Sequence, residues 1–557
     1  MKEFSLWNFL PLIGVVIFVS LTLQAAQSET PTIDEFAHVP AGYTYLRYGS
    51  FDLYAKNPPL MKLLMAFPFF MEDGIFIAPT NTEKNDWSPW IYGFQFMKDN
   101  QQKYFKLFFL ARLIPIIMGT LTGLILYHWI RDLFGVQSAA ITCTLYFLSP
   151  SILAHSHLAT IDSGCMFAMI LSLYTFRWAY QNPSYFRIAG AGAIWGVALL
   201  IKFTAILFFP AYFVLVFVFR WRQKLKIFPE FLTLVFFAVL ILNTGMGFKG
   251  TMEPLGNFNF QSSFGKSVQS LLPPSLVIPL PKSYLIGFDE QKHDTEQGEF
   301  DSNNYLLGEF SQKGWWYYNF VAFAAKTPLP FLAMLIVCPY FIRNSNLARQ
   351  ELATILIPLT TLIFFVNFFN HLNIGIRYLL PIFPLLFLLT ASIWQKFNNR
   401  TSQFATGIIL FYYLYTAVSI HPNYLSYFNQ GFGGPAQGHQ VLLDSNLDWG
   451  QDLYQIKPAL NRLQHTGKIG LLYFGHVDPA MYGIEYELVP PWPIPGLLAV
   501  SINFLMGMNY IVTAPDGKIF QVASNHLAWL RSHQPVMRLG SIWIFDTRET
   551  ILSNENQ

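Results

Sequence analysis

Apolar runs of about 18 residues or more recur along this chain, each long enough to cross a bilayer as a helix. They fall at 5–25, 107–130, 137–154, 160–180, 188–201, 203–219, 231–248, 320–342, 352–370, 376–394 and 403–420, with 188–201 the shortest. Charged residues make up only 12% of the 557, against about 25% in soluble domains. The expected class is therefore a polytopic α-helical membrane protein with about eleven transmembrane helices. A formal net charge of +3 gives no basis for nucleic-acid binding. Cys143, Cys165 and Cys338 all lie inside apolar runs and imply no disulfide framework.

Lysines and arginines orient the spans. Lys2, Arg131, Arg177, Arg187, the 220–226 cluster, Arg343, Arg349, Lys396 and Arg400 share one side when there are eleven spans. That side is expected to be cytoplasmic, with the N-terminus inside and the C-terminus outside. The first run has a signal-peptide look, with Lys2 before it and Ala25-Ala26 after it, but an uncleaved anchor fits the alternation better. The expected division is a transmembrane catalytic region over 1–420, with long outer loops at 26–106 and 249–319, and a small α/β outer-face domain over 421–557. In that tail KIGLLYF and SIWIFDT read as strands, and LDWGQDLYQIKPALNRLQ reads as a helix.

Chemistry-bearing residues gather at the outer ends. Asp34 and Glu35 open a short segment in the first loop, and Asp34 and His38 are four apart, on one helical face. Either Thr32 or Asp34 caps a helix N-terminus, or a carboxylate serves as general base for a hydroxyl nucleophile. Asp162, in HSHLATIDSGCMF, is a second acid at membrane depth, where ionisable groups are costly and by default functional. A cap is its alternative role. His155 and His157 read as interfacial polar residues.

Several cations break the positive-inside pattern: Lys62, Arg112, Lys202, Lys326 and Arg377, the last followed by Tyr378. One such residue would snorkel to head groups. Several at one depth point to a shared anionic ligand, for which a lipid-linked phosphate suits Arg and Lys. Acids and cations together suggest an acceptor hydroxyl attacking a sugar carbon whose leaving group is a lipid phosphate. No Walker loop, Rossmann fingerprint, HExxH or GxSxG motif is present.

The order of IDEFAHVPAGY, NPPLMKLL, LATIDSGCMF, IKFTAILFFP and IRYLLPIFPLL resembles the GT-C superfamily of polyprenyl-phosphate-sugar-dependent glycosyltransferases, in particular protein O-mannosyltransferases and aminoarabinose transferases. The resemblance covers loosely the first 400 residues. It implies Asp34 as catalytic base with Glu35 its neighbour, Asp162 as a second catalytic acid, and Lys62, Lys202 and Arg377 at the lipid phosphate. A divalent cation, Mg or Mn, held by Asp34, His38 and Asp162 is compatible with it. The 249–319 loop is too short for the β-trefoil of the eukaryotic mannosyltransferases, so the acceptor stays open between protein, lipid and glycan.

The expectation is an inverting glycosyltransferase of the bacterial inner membrane, with a polyprenyl-phosphate-linked sugar as donor. Its rivals are a transporter or flippase for an anionic lipid and a non-catalytic envelope scaffold. Transporters tend to show repeated halves, which this chain lacks.

Overall fold

Each of the eleven apolar runs becomes helical, because an apolar chain in lipid satisfies its own backbone only that way. The computed structural model describes residues 7, 9–77, 88–297, 304–397, 399–513 and 519–548. Lys2, the first residues of the first run and the end of the acidic stretch FDEQKHDTEQGEFD lie outside the described residues. Among the described residues, six helices are long and apolar enough to cross a membrane. A seventh is added if the bent pair Tyr318–Lys326 and Leu329–Arg343 counts as one span.

Two of the expected runs are joined in a single 44-residue stretch, Tyr104–Phe147, which reverses at Gly135. Gly135 has φ 87°, a conformation that glycine adopts at little cost. The two arms lie side by side. The Tyr146 hydroxyl donates to the Gly119 carbonyl at 2.9 Å, and the Cys143 thiol to that of Gly123 at 3.4 Å. Further on, the run expected at 320–342 is broken by 115° in the sequence KTPLP. Pro328 and Pro330 lack the amide hydrogens that a continuous helix would need there.

Helix ends sort into two layers. In one, Arg177 bonds Glu351 at 2.7 Å and Asp132 at 3.4 Å, joining three turns expected on one side. The opposite layer holds the described residues of the 26–106 loop, of the 249–319 loop and of the tail after 421. There the tail carries a five-stranded mixed sheet. Its strands are β1 (Ile469–Leu472), β2 (Tyr486–Leu488), β3 (Leu497–Ser501), β4 (Met537–Leu539) and β5 (Ile542–Asp546), in the order β4-β5-β3-β1-β2. β1 runs parallel to both β2 and β3, whereas β5 is antiparallel to β3 and β4. β3 is buried along its whole length, as a central strand covered on both faces should be. The expected helix over LDWGQDLYQIKPALNRLQ shrinks to Ile456–Arg462 after one 3-10 turn. Gly450, at φ 89°, ends any helix before it.

Small residues set the tightest helix contacts, because backbones in lipid gain by close approach. A Cβ at Gly192, in Tyr185–Leu199, would stand 2.3 Å from the Leu234 carbonyl oxygen of Ile227–Gly245, and one at Gly196 2.6 Å from that of Ala238. Gly190, two residues before Gly192, faces open space. Gly192→Ala is expected to lower the thermal unfolding midpoint in detergent by the equivalent of about 1–3 kcal/mol. Gly190→Ala should leave the midpoint unchanged or slightly raised, and equal effects at the two positions would refute this account of the packing.

Candidate active site

The first loop is built around one buried carboxylate. Glu35 lies in the first turn of the helix Ile33–Tyr48, and its side chain is wholly buried. It accepts from Arg112 Nε and Nη2, both at 2.7 Å, from the Thr32 amide at 2.8 Å and from the Ala159 amide at 2.6 Å. Burial alone would raise the Glu35 carboxyl, but the Arg112 guanidinium and these donors hold it below its ordinary value. Arg112 spends its remaining donors on the carbonyls of Ala26, Glu29 and Thr30. The helix start, where Thr32 or Asp34 was expected to cap, is closed by Glu35, which accepts from the Thr32 amide.

With Glu35 inward, Asp34 is turned about 100° round the helix, the angle between successive residues. Its side chain is 21% exposed and ion-pairs with Arg377. The tail holds this helix start from above. The Ile33 amide donates to the Trp449 carbonyl at 3.2 Å, and the Thr30 amide to that of Gln451 at 3.0 Å.

Asp34 opens into a cleft of about 90 Å3 shared with Asp162, Lys202, Arg377, Tyr378 and Lys56. Lys202 arrives there because the helix Tyr185–Leu199 stops and the chain turns extended before Phe203–Leu207. The Leu60 amide, just after Pro58-Pro59, docks on the Leu200 carbonyl at this break. Lys202 Nζ donates to Asp162 Oδ1 at 2.7 Å and stands 5.4 Å from the Tyr378 ring centre. Arg377 lies 4.6 Å from the ring of Trp449, a cation–π distance. The Ile376 amide donates to Asn446 Oδ1 at 2.9 Å, so the tail fixes the backbone beside Arg377 as well.

Three expected phosphate ligands are not brought to this cleft. Arg112 is consumed as above. Lys62 is fully buried, its ammonium donating to the Tyr54 carbonyl at 2.6 Å and to the Tyr45 hydroxyl at 3.1 Å. A Cβ at Gly42 would stand 2.0 Å from the Lys62 carbonyl oxygen, so the two loop helices touch backbone to backbone. Lys326 donates to the carbonyls of Leu425, Tyr427 and Asn446 and lies 4.0 Å from the Phe428 ring centre. Each of the three was expected at an anionic ligand and instead ties segments together. Glu35, expected among the catalytic acids, is likewise enclosed away from the cleft.

The metal candidates do not converge either. Asp34 and Asp162 are each held by a cation, and the buried His38 ring stacks on Tyr54 at 5.3 Å. Among the described residues no group of three or more His, Cys, Asp or Glu side chains is disposed to hold a metal ion. His157 bonds the fully buried Glu29 at 2.8 Å rather than facing the cleft.

Sequence reasoning missed Lys56, Asn57, Trp90, Gln291 and Asp294, all of which line the cleft. Lys56 and Asp294 pair at 2.7 Å, joining the two long loops. The acidic composition around 289–296 was the available signal, and it lies on the helix Lys282–Gln297.

Residues 105–245 match the family model of dolichyl-phosphate-mannose-protein mannosyltransferase. The match takes in LATIDSGCMF and IKFTAILFFP, two of the segments on which the resemblance was founded; the other three lie outside it. No curated protein sequence matches the chain. Among solved structures the chain is similar to ArnT from Cupriavidus metallidurans bound to undecaprenyl phosphate, with 13% identity, 96% of this chain and 97% of that one covered, and a TM-score of 0.49. It is also similar to the archaeal oligosaccharyltransferase AglB from Archaeoglobus fulgidus in complex with an inhibitory peptide and a dolichol-phosphate. There the identity is 11%, the coverage 93% and 75%, and the TM-score 0.41.

Two measurements test how the site is held. Glu35→Gln leaves Arg112 buried without its countercharge, a loss of about 3–5 kcal/mol. The variant should unfold at markedly lower temperature, and a wild-type midpoint would show that the pair is dispensable. The tail junction has its own pH dependence. Burial pushes Asp448 up to about 8 and Asp452 up to about 7, from an ordinary value of 3.8. The folded junction therefore keeps protons that the unfolded chain releases near 3.8, so its stability falls as pH rises from there through about 8. Amide exchange over 444–455, corrected for its intrinsic pH dependence, should be faster at about pH 9 than at about pH 6. Equal protection at both would contradict it.

Proposed function

We propose that the protein is a membrane glycosyltransferase. It moves a sugar from a polyprenyl-phosphate carrier to a hydroxyl of a protein, lipid or glycan, at the outer face of the bacterial inner membrane. The observation that carries this reading is the cleft in which an accessible carboxylate, Asp34, shares walls with Lys202, Arg377 and Tyr378 at the ends of the helices. A lipid tail can lie among those helices while its phosphate reaches the two cations. The proposal includes eleven crossings, a cytoplasmic N-terminus and a 421–557 unit on the outer face.

In the proposed reaction the acceptor oxygen attacks the anomeric carbon on the face away from the phosphate, which inverts that centre. The acceptor proton passes to the Asp34 carboxylate. The bond between the anomeric carbon and the phosphate oxygen breaks, and the lipid phosphate leaves with its charge shared by Lys202 and Arg377. Tyr378, beside both cations, offers its phenol to the same oxygens. Asp162 keeps Lys202 charged and aimed into the cleft. Asp34 is paired with Arg377 before substrate arrives. A donor phosphate that draws Arg377 to itself opens Asp34 to the acceptor hydroxyl.

The broken helix Tyr318–Lys326/Leu329–Arg343 favours a second reading, a carrier of anionic lipids, since interrupted spans are common in transporters. Turnover decides between the two. Asp34→Asn should lower sugar transfer by about 100- to 10,000-fold while leaving polyprenyl-phosphate binding intact. Lys202→Ala should weaken that binding. Full transfer by Asp34→Asn would remove it as the base. Mass spectrometry of envelope lipids and proteins should reveal a species lacking one hexose- or pentose-sized unit when the protein is deleted, and an unchanged envelope would count against transfer altogether.

A further inference from the structure

A second cavity, of about 450 Å3, lies between the first loop and the sheet. This is within the usual size range of small-ligand pockets. Phe94 and Lys98 come to it from the helix Ser88–Asp99, Tyr486 from the edge strand β2, and Tyr473, His476 and Asp478 from the turn after β1. Tyr473 and His476 are buried at its base, Phe94 and Tyr486 are half-buried on its walls, and Lys98 and Asp478 stand exposed. The charged pair cancels, and burial lowers His476 to about 4, which leaves its ring neutral.

The lining thus offers aromatic faces beside hydrogen-bonding groups of both kinds, with no surplus charge. A phosphate would need an excess of cations, and a purely apolar ligand would leave the Lys98 ammonium and the Asp478 carboxylate at the rim unused. A pyranose or furanose ring has the matching chemistry, with C–H faces for the aromatics and hydroxyls for the rim.

The cavity is also connected toward both partners of the Asp34–Arg377 pair. His476 and Phe94 pack on Phe36, two residues from Asp34, at ring distances of 5.4 and 4.9 Å. The Tyr473 hydroxyl donates to the Gly450 carbonyl at 2.8 Å, next to Trp449, whose ring covers Arg377. We propose that this cavity binds a neutral sugar unit of the acceptor, making the acceptor a glycan or glycoconjugate, and that its occupant helps to position Asp34 against Arg377. The inference deepens the glycosyltransferase reading and rests on it for the word acceptor.

Saturation-transfer NMR on the full chain in nanodiscs, with a panel of methyl glycosides of neutral hexoses, pentoses and N-acetylhexosamines, tests it. At least one glycoside should receive saturation. Tyr486→Ala should weaken its binding by up to about ten-fold, the scale of one lost aromatic contact. Tyr486→Phe should retain it. Undecaprenyl-phosphate binding, measured on the same samples, should be the same in all three proteins. The proposal is overturned if no glycoside binds, if Tyr486→Ala binds as tightly as the unsubstituted protein, or if only a peptide or undecaprenyl phosphate is displaced by changes at Tyr486 and Lys98. Glycoside binding without any undecaprenyl-phosphate binding would keep the sugar site and remove the glycosyltransferase reading.

Discussion

The ion pair between Glu35 and Arg112 decides where everything else at the site can point. Both side chains are dry, so their charges are tolerable only because each is saturated with partners. Those partners come from the end of the first helix, from the first loop helix and from the segment before Asp162. The pair therefore gathers three separate stretches of chain at a single point. Asp34 has no freedom to be elsewhere once its neighbour is locked inward.

At the cleft itself the same physics is used more loosely. Asp34 with Arg377 is a pair formed beside open space rather than inside protein, whereas Asp162 with Lys202 is buried in the cleft wall. A partly solvated pair gives up its partner far more cheaply than a dry one. The protein thus keeps two grades of acid–base contact within a few residues of each other, one permanent and one exchangeable. The tail contributes to the exchangeable grade through Trp449 and Asn446, so it is part of the site's wall as well as an appendage to it.

Helix existence was legible because apolar length is a property of consecutive residues. The loop acids were legible as a pair, but not their division of labour: adjacent helical residues differ by a rotation, and the deciding arginine lies far along the chain. Lys62 and Lys326 were grouped with Lys202 because depth in the membrane is readable and hydrogen-bond partners are not. Their partners are mostly backbone carbonyls, which every sequence possesses and none advertises. The strands at 469–472 and 542–546 showed as short apolar runs, Ile-Gly-Leu-Leu and Ile-Trp-Ile-Phe-Asp, whereas the stretch from Leu447 mimics helical spacing up to a glycine at positive φ. The acidic part of the second long loop carries no pattern that fixes its structure. Its described residues lie on the helix Lys282–Gln297, which completes the cleft with Asp294.

The cleft's near-neutrality has a consequence for how a ligand finds it. Asp34, Asp162 and Asp294 offset Arg377, Lys202 and Lys56 one for one. No long-range field then draws an anion out of bulk solution, and capture depends on contact and on the swapping of partners once there. Such a site is suited to cargo that already diffuses in two dimensions along the bilayer, where proximity is supplied by the membrane and encounter rates respond little to ionic strength.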